Sequence, residues 1–214
     1  MDVLINNGWL LLRGASLTLW MSAASIGIAA TLGLAFALVQ VFAAWPLRAL
    51  VEVYLFVMRG VPLLVLLFGM YYALPYAGMD IDPATGGILV ISLYFAAFMS
   101  EVFRGAILAV PRVQWDAGRA LGMHGSALMT NVVLPQAVRT AGPPFINTCI
   151  MIVKGTSLVS IIGLWDLTQI GRQIVERTLA PFSVFGGVAL IYFFICFALS
   201  LVGRHLERRF GYVH

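Results

Sequence analysis

The sequence predicts an all-α integral membrane protein with about five transmembrane helices. Three observations lead there. Of 214 residues, 61% are hydrophobic and only 10% charged, with a mean hydropathy of +0.97. Soluble domains carry about 25% charged residues, so this chain cannot cover a water-facing surface. Its apolar residues also gather into runs of about 20, the length that crosses a bilayer. Finally, the basic residues behind the net charge of +4 sit beside those runs, which ties the charge to a membrane and argues against a nucleic-acid partner. The length suits one compact bundle over residues 1–214.

The first run covers residues 15–41. It follows an acidic start, Met1-Asp2, and is too long for the apolar part of a signal peptide, so a retained span is expected. Ser25, Ala29, Gly33 and Ala37 recur every four residues and give it one face of small residues, where another helix can approach closely. Trp45 and Arg48 mark an interfacial turn. The second run, residues 49–74, contains Arg59-Gly60-Val61-Pro62, where glycine and proline loosen the backbone ladder. A short acidic loop with Asp80 and Asp82 follows. The third run is 85–108, with Glu101 and Arg104 on one face near its end. The fourth, 141–164, is expected to start near Pro143-Pro144, since proline is tolerated in a first turn. Residues 165–181 are polar and long enough for a short helix. The fifth run is 182–202, and a basic tail from Arg204 through Arg208 and Arg209 follows.

One set of connections holds Arg48, Arg104, Arg112, Arg119, Arg139, Arg204, Arg208 and Arg209. The opposite set holds Arg13, Arg172 and Arg177, diluted by Asp2, Asp80, Asp82, Asp166 and Glu176. The positive-inside bias assigns the first set to the cytoplasm. The N-terminus is then outside, the C-terminus inside, and the connection 110–138 cytoplasmic.

Within that connection, residues 114–137 are too patterned for a plain linker. Asp116-Ala117-Gly118-Arg119-Ala120-Leu121-Gly122 reads as a short amphipathic helix stopped by glycine. A second apolar-periodic piece, 127–133, is expected to end at Leu134-Pro135. Such a helix can lie in the membrane interface or dock to a protein. Its shortness, its small residues Ala117, Gly118 and Ala120, and its fixed ends favour docking.

Few residues resemble a catalytic set. His124, His205 and His214 lack metal-ligand spacing. Cys149 and Cys196 lie inside apolar runs, which argues against a disulfide framework. No glycine-rich phosphate loop follows a strand, so the chain is not expected to bind ATP. Charges inside spans are more telling. Arg59, Glu101 and Lys154 are candidates, with Gly155, Thr156 and Ser157 after the lysine. Asn147, Met151 and Lys154 share a helical face, a polar stripe suited to a translocation path. The alternative is an internal ion pair, Glu101 with Arg59 or Lys154, that only fixes packing.

The loop resembles the EAA loop of ABC-importer permeases, a glutamate-alanine-alanine segment with a fixed gap to glycine and then leucine-proline. Asp116, Ala117, Gly118, Gly122, Leu134 and Pro135 keep the spacing. Aspartate replaces glutamate at Asp116, and Gly118 replaces the second alanine, a change that weakens a helix by about 1 kcal/mol. Arg59-Gly60-Val61-Pro62 resembles the arginine-glycine-threonine-proline signature of polar amino acid permeases. Glu101-Val102-Phe103-Arg104-Gly105 and Lys154-Gly155-Thr156-Ser157-Leu158 are similar to two further segments of that family.

The resemblance implies a type I ABC-importer permease of the bacterial cytoplasmic membrane, of the histidine/glutamine/arginine permease type. Such a subunit pairs with a second copy or a paralogue. It inserts its loop helix into a cytoplasmic ABC ATPase, and an extracytoplasmic solute-binding protein delivers the substrate. ATP and magnesium belong to the ATPase; this chain binds no cofactor and is not itself an enzyme. Members that carry cationic amino acids can place acidic or amide groups around a membrane-level pocket. The matching positions here are Phe56, Tyr94 and Gly155, so a neutral or acidic polar amino acid, or a related zwitterion, is expected. The alternative, an ion-coupled secondary transporter using Lys154 and Glu101, lacks a clear inverted repeat. A further alternative is an assembly subunit with no conduction path.

Overall fold

In the computed structural model, the backbone is described for residues 2–210 and the side chains for residues 2–205. The tail arginines Arg208 and Arg209 therefore lie outside the described side chains. α1 (Asp2–Asn6) leads into α2 (Gly8–Phe42). At 35 residues and 1.5 Å rise, α2 is about 52 Å long, well beyond a hydrocarbon core of about 30 Å.

The second run is not one straight span. α3 (Trp45–Gly60) ends where Val61 turns extended, as a residue before proline prefers. Pro62 then starts α4 (Leu63–Phe68), which continues through a π turn (Gly69–Ala73) into α5 (Leu74–Tyr76). The two halves meet at 100°. α6 (Pro83–Leu108) is capped by Asp82, which accepts from the Thr85 amide at 3.0 Å. α7 (Arg112–Ala120) stands alone after Pro111.

Two expectations for the fourth span are corrected. α8 (Gly125–Leu128), a π turn (Met129–Val133) and α9 (Leu134–Gly155) run on into 3-10 turns at Thr156–Ile162, so helix continues from Gly125 to Ile162. Leu134-Pro135 therefore does not end the piece before it. Leu134 separates Pro135 from the π turn, which ends at Val133; the wider register of that turn lets the chain pass a residue without an amide hydrogen. Pro143 and Pro144 lie inside α9 rather than at its start. Neighbouring helices and hydroxyl groups make such prolines tolerable in a membrane helix; Thr148 Oγ donates to the Pro144 carbonyl at 2.9 Å.

Gly163, at φ +83, closes the 3-10 turns. The polar connection holds the expected short helix, α10 (Leu167–Thr178), capped by Asp166, which accepts from the Thr168 and Gln169 amides at 3.1 and 2.9 Å. Burial pushes the Asp166 carboxyl up against the opposing pull of those bonds. α11 (Pro181–Phe210) is the last helix of the described residues. Among the described residues, α2, α6, the Gly125–Ile162 helix and α11 are each long and apolar enough to cross a membrane, and the bent pair brings the candidates to five.

Ser25, Ala29, Gly33 and Ala37 are all buried, as their spacing predicts. They form the seam against α6. A Cβ added at Gly33 would come 2.5 Å from Met99 Cβ and 3.0 Å from the Ser100 amide nitrogen. The core beside this seam contains Met21, Leu67, Ile91, Phe95, Met99 and Ile152. Two hydrogen bonds tie helices together around it, one buried and one exposed. Ser100 Oγ donates to Gln40 Oε1 at 2.8 Å, and Tyr54 Oη donates to the Leu93 carbonyl at 2.6 Å. One satellite cluster joins Leu11 and Ala15 to Leu167, Ile170 and Val184. Another joins Ile107 and Val110 to Val133 and Ala137, next to Trp115 of α7.

Gly33→Ala should lower stability by about 1–3 kcal/mol through overpacking against backbone. Gly27→Ala, where a Cβ meets nothing within 4 Å, should not. Thermal denaturation of the two purified variants checks the difference.

Candidate functional site

The segment around α7 is built by its C-terminal stop. The Met123 amide donates to the Gly118 carbonyl at 3.0 Å and the Gly122 amide to the Arg119 carbonyl at 2.9 Å. With Gly122 at φ +77, this is a Schellman end, which needs glycine at that point. His124 Nδ1 lies 2.7 Å from the Gly122 carbonyl oxygen in the same exposed turn. Asp116 and Arg119 form an exposed pair at 3.3 Å, worth little by itself.

Gly118 is the buried residue of α7. A Cβ there would run into the Leu128 side chain, so glycine lets α8 lie directly on α7. Val113, Ala117, Ala120 and Leu121 are exposed and fall at i, i+4, i+7 and i+8, one apolar and small-residue stripe pointing away from the bundle. Leu134 and Pro135 belong to the helix that follows, and the π turn between α8 and α9 separates them from α7.

The charged residues inside the spans are sorted by the fold. Glu101 accepts from Arg104 Nη2 at 2.7 Å and Nε at 3.3 Å, and its other oxygen lies 3.6 Å from Arg59 Nη1. Arg59 occupies the last turn of α3 and donates to the Leu55 carbonyl at 3.1 Å. The pairing of Glu101 with Arg59 is therefore made, and the pairing with Lys154 is not. Lys154 forms no ion pair among the described residues. It shares an exposed face of α9 with Asn147 and Met151.

Thr156 Oγ and Ser157 Oγ donate to the Val153 and Lys154 carbonyls, each at 2.7 Å. Both hydroxyls are thus turned to their own backbone. Gly155 is a point of close approach, where an added Cβ would come 3.1 Å from the Phe95 ring and 3.4 Å from Leu63. Tyr94 meets Phe95 edge-on at 5.1 Å. Tyr94 and Gly155 are thus linked through Phe95, whereas Phe56 is 78% exposed on α3 and stands apart. Gln40, Ser100, Tyr54 and Phe95 were not singled out in the sequence. Gln40 carries the same signal as Arg59, a polar side chain within an apolar run, but its partner is 60 residues away.

Residues 27–212 match the family described as binding-protein-dependent transport system inner membrane component. The chain belongs to that family. It is 35% identical over 202 residues to the glutamine transport system permease protein GlnP of Escherichia coli (strain K12), covering 94% of this chain and 92% of that one. It is 37% identical over 210 residues to the L-cystine transport system permease protein TcyB of Bacillus subtilis (strain 168), covering 97% and 90%. Among solved structures, an amino acid ABC transporter crystallised with histidines superposes with a TM-score of 0.91 at 32% identity, over 96% of both chains. The MetNI methionine ABC transporter in an inward-facing conformation shares the fold, with a TM-score of 0.83 at 22% identity, over 97% and 99% of the two chains. The expected all-α permease architecture and the expected family both hold for this inner-membrane permease.

Glu101→Gln removes the charge that two guanidinium groups share and sets an amide donor against one of them, so it should lower thermal stability more than Arg59→Gln or Arg104→Gln alone. A double-mutant cycle between positions 59 and 101 should return a coupling of about 0.5–1 kcal/mol.

Proposed function

We infer that the chain is the membrane-spanning permease subunit of an ATP-driven importer for a polar amino acid or related small zwitterion. The observation that carries this reading is α7. It is a rigidly ended helix with an exposed apolar stripe, packed through Gly118 and Leu128 onto a helix that continues from Gly125 to Ile162. A rigid-body push on α7 passes to α8 and α9 by direct contact, without having to bend a flexible linker. The partner that pushes is a cytoplasmic ABC ATPase, which holds the ATP and magnesium. In this reading α7 is cytoplasmic, the N-terminus outside and the C-terminus inside.

The exposed stripe of Asn147, Met151 and Lys154 calls for cover other than lipid, because an ammonium group within a span is costly in hydrocarbon. A second permease copy or a paralogue, enclosing a polar path between the two, supplies that cover. A solute-binding protein outside the membrane delivers the substrate. The names of the relatives, glutamine and cystine permeases, support a zwitterionic amino acid. Phe56, Tyr94 and Gly155 offer no carboxylate to a cationic side chain, and Glu101 already serves two arginines. The same commitment of Glu101 speaks against a role as an ion-coupling group in a secondary transporter.

Gly122→Val forces a β-branched residue into a left-handed conformation, a strain of roughly 1–2 kcal/mol, and opens the end of α7. Transport should be lost, together with either ATPase co-purification or substrate-stimulated hydrolysis. Wild-type levels of all three would falsify the coupling role. In proteoliposomes with the cognate binding protein, unlabelled glutamine or cystine should compete for uptake better than lysine or arginine. Preferred competition by lysine or arginine would overturn the substrate assignment.

A further inference from the structure

A second polar site lies at the end of the bundle opposite α7. The C-terminal end of α2 meets the α7 segment, where Phe42, Trp115 and Arg119 line one cleft. The N-terminal part of α2 packs instead on α10: the Leu167 amide donates to Thr18 Oγ at 3.2 Å, and a Cβ at Gly14 would touch Leu167 and Ile170. Between α2 and α10 opens a cleft of about 790 Å³ lined by Arg13, Arg177, Gln173, Leu17, Trp20 and Trp165, among others.

The cleft is graded in polarity. Leu17 and Trp20 follow Arg13 by about one and two turns along α2, towards the middle of the span. Charge therefore lies nearer the end of the bundle, and leucine and indole lie deeper. Trp20 and Trp165 are 57% and 56% exposed, and Leu12 and Leu19 on α2 are exposed as well. Exposed tryptophans at the end of a span mark the headgroup level of a bilayer.

Charge identifies what the cleft takes. Three arginines, Arg13, Arg172 and Arg177, lie at this end of the bundle, and two of them share this one cleft. Neither Arg13 nor Arg177 forms an ion pair among the described residues. Two guanidinium groups in one cleft repel until an anion enters, and the planar guanidinium fork matches phosphate oxygens. A carboxylate on a docking protein would answer the arginines but would leave the Leu17 and Trp20 wall uncovered. An anionic amphiphile answers both.

We propose that the α2–α10 cleft binds an anionic phospholipid, with Arg13 and Arg177 on its phosphate and Trp20 and Trp165 beside the glycerol and first acyl carbons. The lipid then bridges α2 and α10, holding the short helix against the span.

The test uses the assembled transporter with its ATPase. Native mass spectrometry compares retention of phosphatidylglycerol and phosphatidylcholine with identical chains. The wild type should retain phosphatidylglycerol preferentially. Arg13→Gln with Arg177→Gln should cut that preference about thirtyfold, as loss of two basic contacts implies. Arg13→Lys with Arg177→Lys should keep part of it, and Arg48→Gln, at the other end of the bundle, should keep all of it. If the glutamine pair fails to assemble, the wild type decides: phosphatidylglycerol brominated near the headgroup should quench tryptophan fluorescence more than the matching phosphatidylcholine. An unchanged preference in the glutamine pair or equal quenching overturns the proposal. So does displacement of the lipid by soluble glycerol phosphate, which marks a free-anion site. Displacement by the cognate solute-binding protein marks a protein-docking surface and overturns it too.

Discussion

At Gly33 the backbone of α2 lies so near α6 that no Cβ fits between it and Met99. In lipid there is no hydrophobic gain from bringing two apolar helices together, so association rests on close van der Waals packing and on interhelical hydrogen bonds. The stripe of Ser25, Ala29, Gly33 and Ala37 supplies the first of these. The buried bond from Ser100 to Gln40, one residue past Met99 on α6, supplies the second. Glu101 is the next residue after Ser100. The crossing that sets the height of α6 against α2 therefore also sets the position of the carboxylate that gathers Arg59 and Arg104.

That carboxylate connects the broken second span to the rest. Pro62 removes an amide donor and turns the chain by 100°, leaving α3 and α4 as two short arms. Arg59 sits in the last turn of α3, where the helix dipole favours a positive charge, and bonds back to the Leu55 carbonyl. Its second interaction, with Glu101, holds the end of α3 against the last third of α6, ahead of α7. The other arm starts at Leu63, in contact range of Gly155 where α9 gives way to 3-10 turns. The break at Pro62 thus lets one span touch both helices that flank the α7 segment.

Much of this was legible in the sequence because it rests on local periodicity. Apolar runs of bilayer length gave the spans, a four-residue spacing gave the α2 seam, and a glycine after an amphipathic turn gave the end of α7. What was not legible depends on partners far along the chain. Pro135 and Pro143-Pro144 read as helix ends by local rules, but a π turn and the surrounding helices carry the chain past them. Glu101 had two candidate cations, Arg59 and Lys154, and only the packing of α3 on α6 chooses between them. The Asp166 cap was readable in principle, as an aspartate ahead of a helix, but its burial against α2 and Tyr192 was not.

Gly118 shows how a local and a non-local term compete. By propensity alone, glycine in α7 costs the helix about 1 kcal/mol relative to alanine. The contact it permits buries Leu128, which is 5% exposed, and burying a leucine side chain is worth about 1.5–3 kcal/mol. The contact outweighs the propensity loss. A larger residue at 118 would stiffen α7 and push α8 away from it. A helix that transmits motion depends less on its own stiffness than on direct contact with the element it moves. In the coupling role proposed for α7, glycine at the buried point therefore serves transmission better than the stronger helix former would.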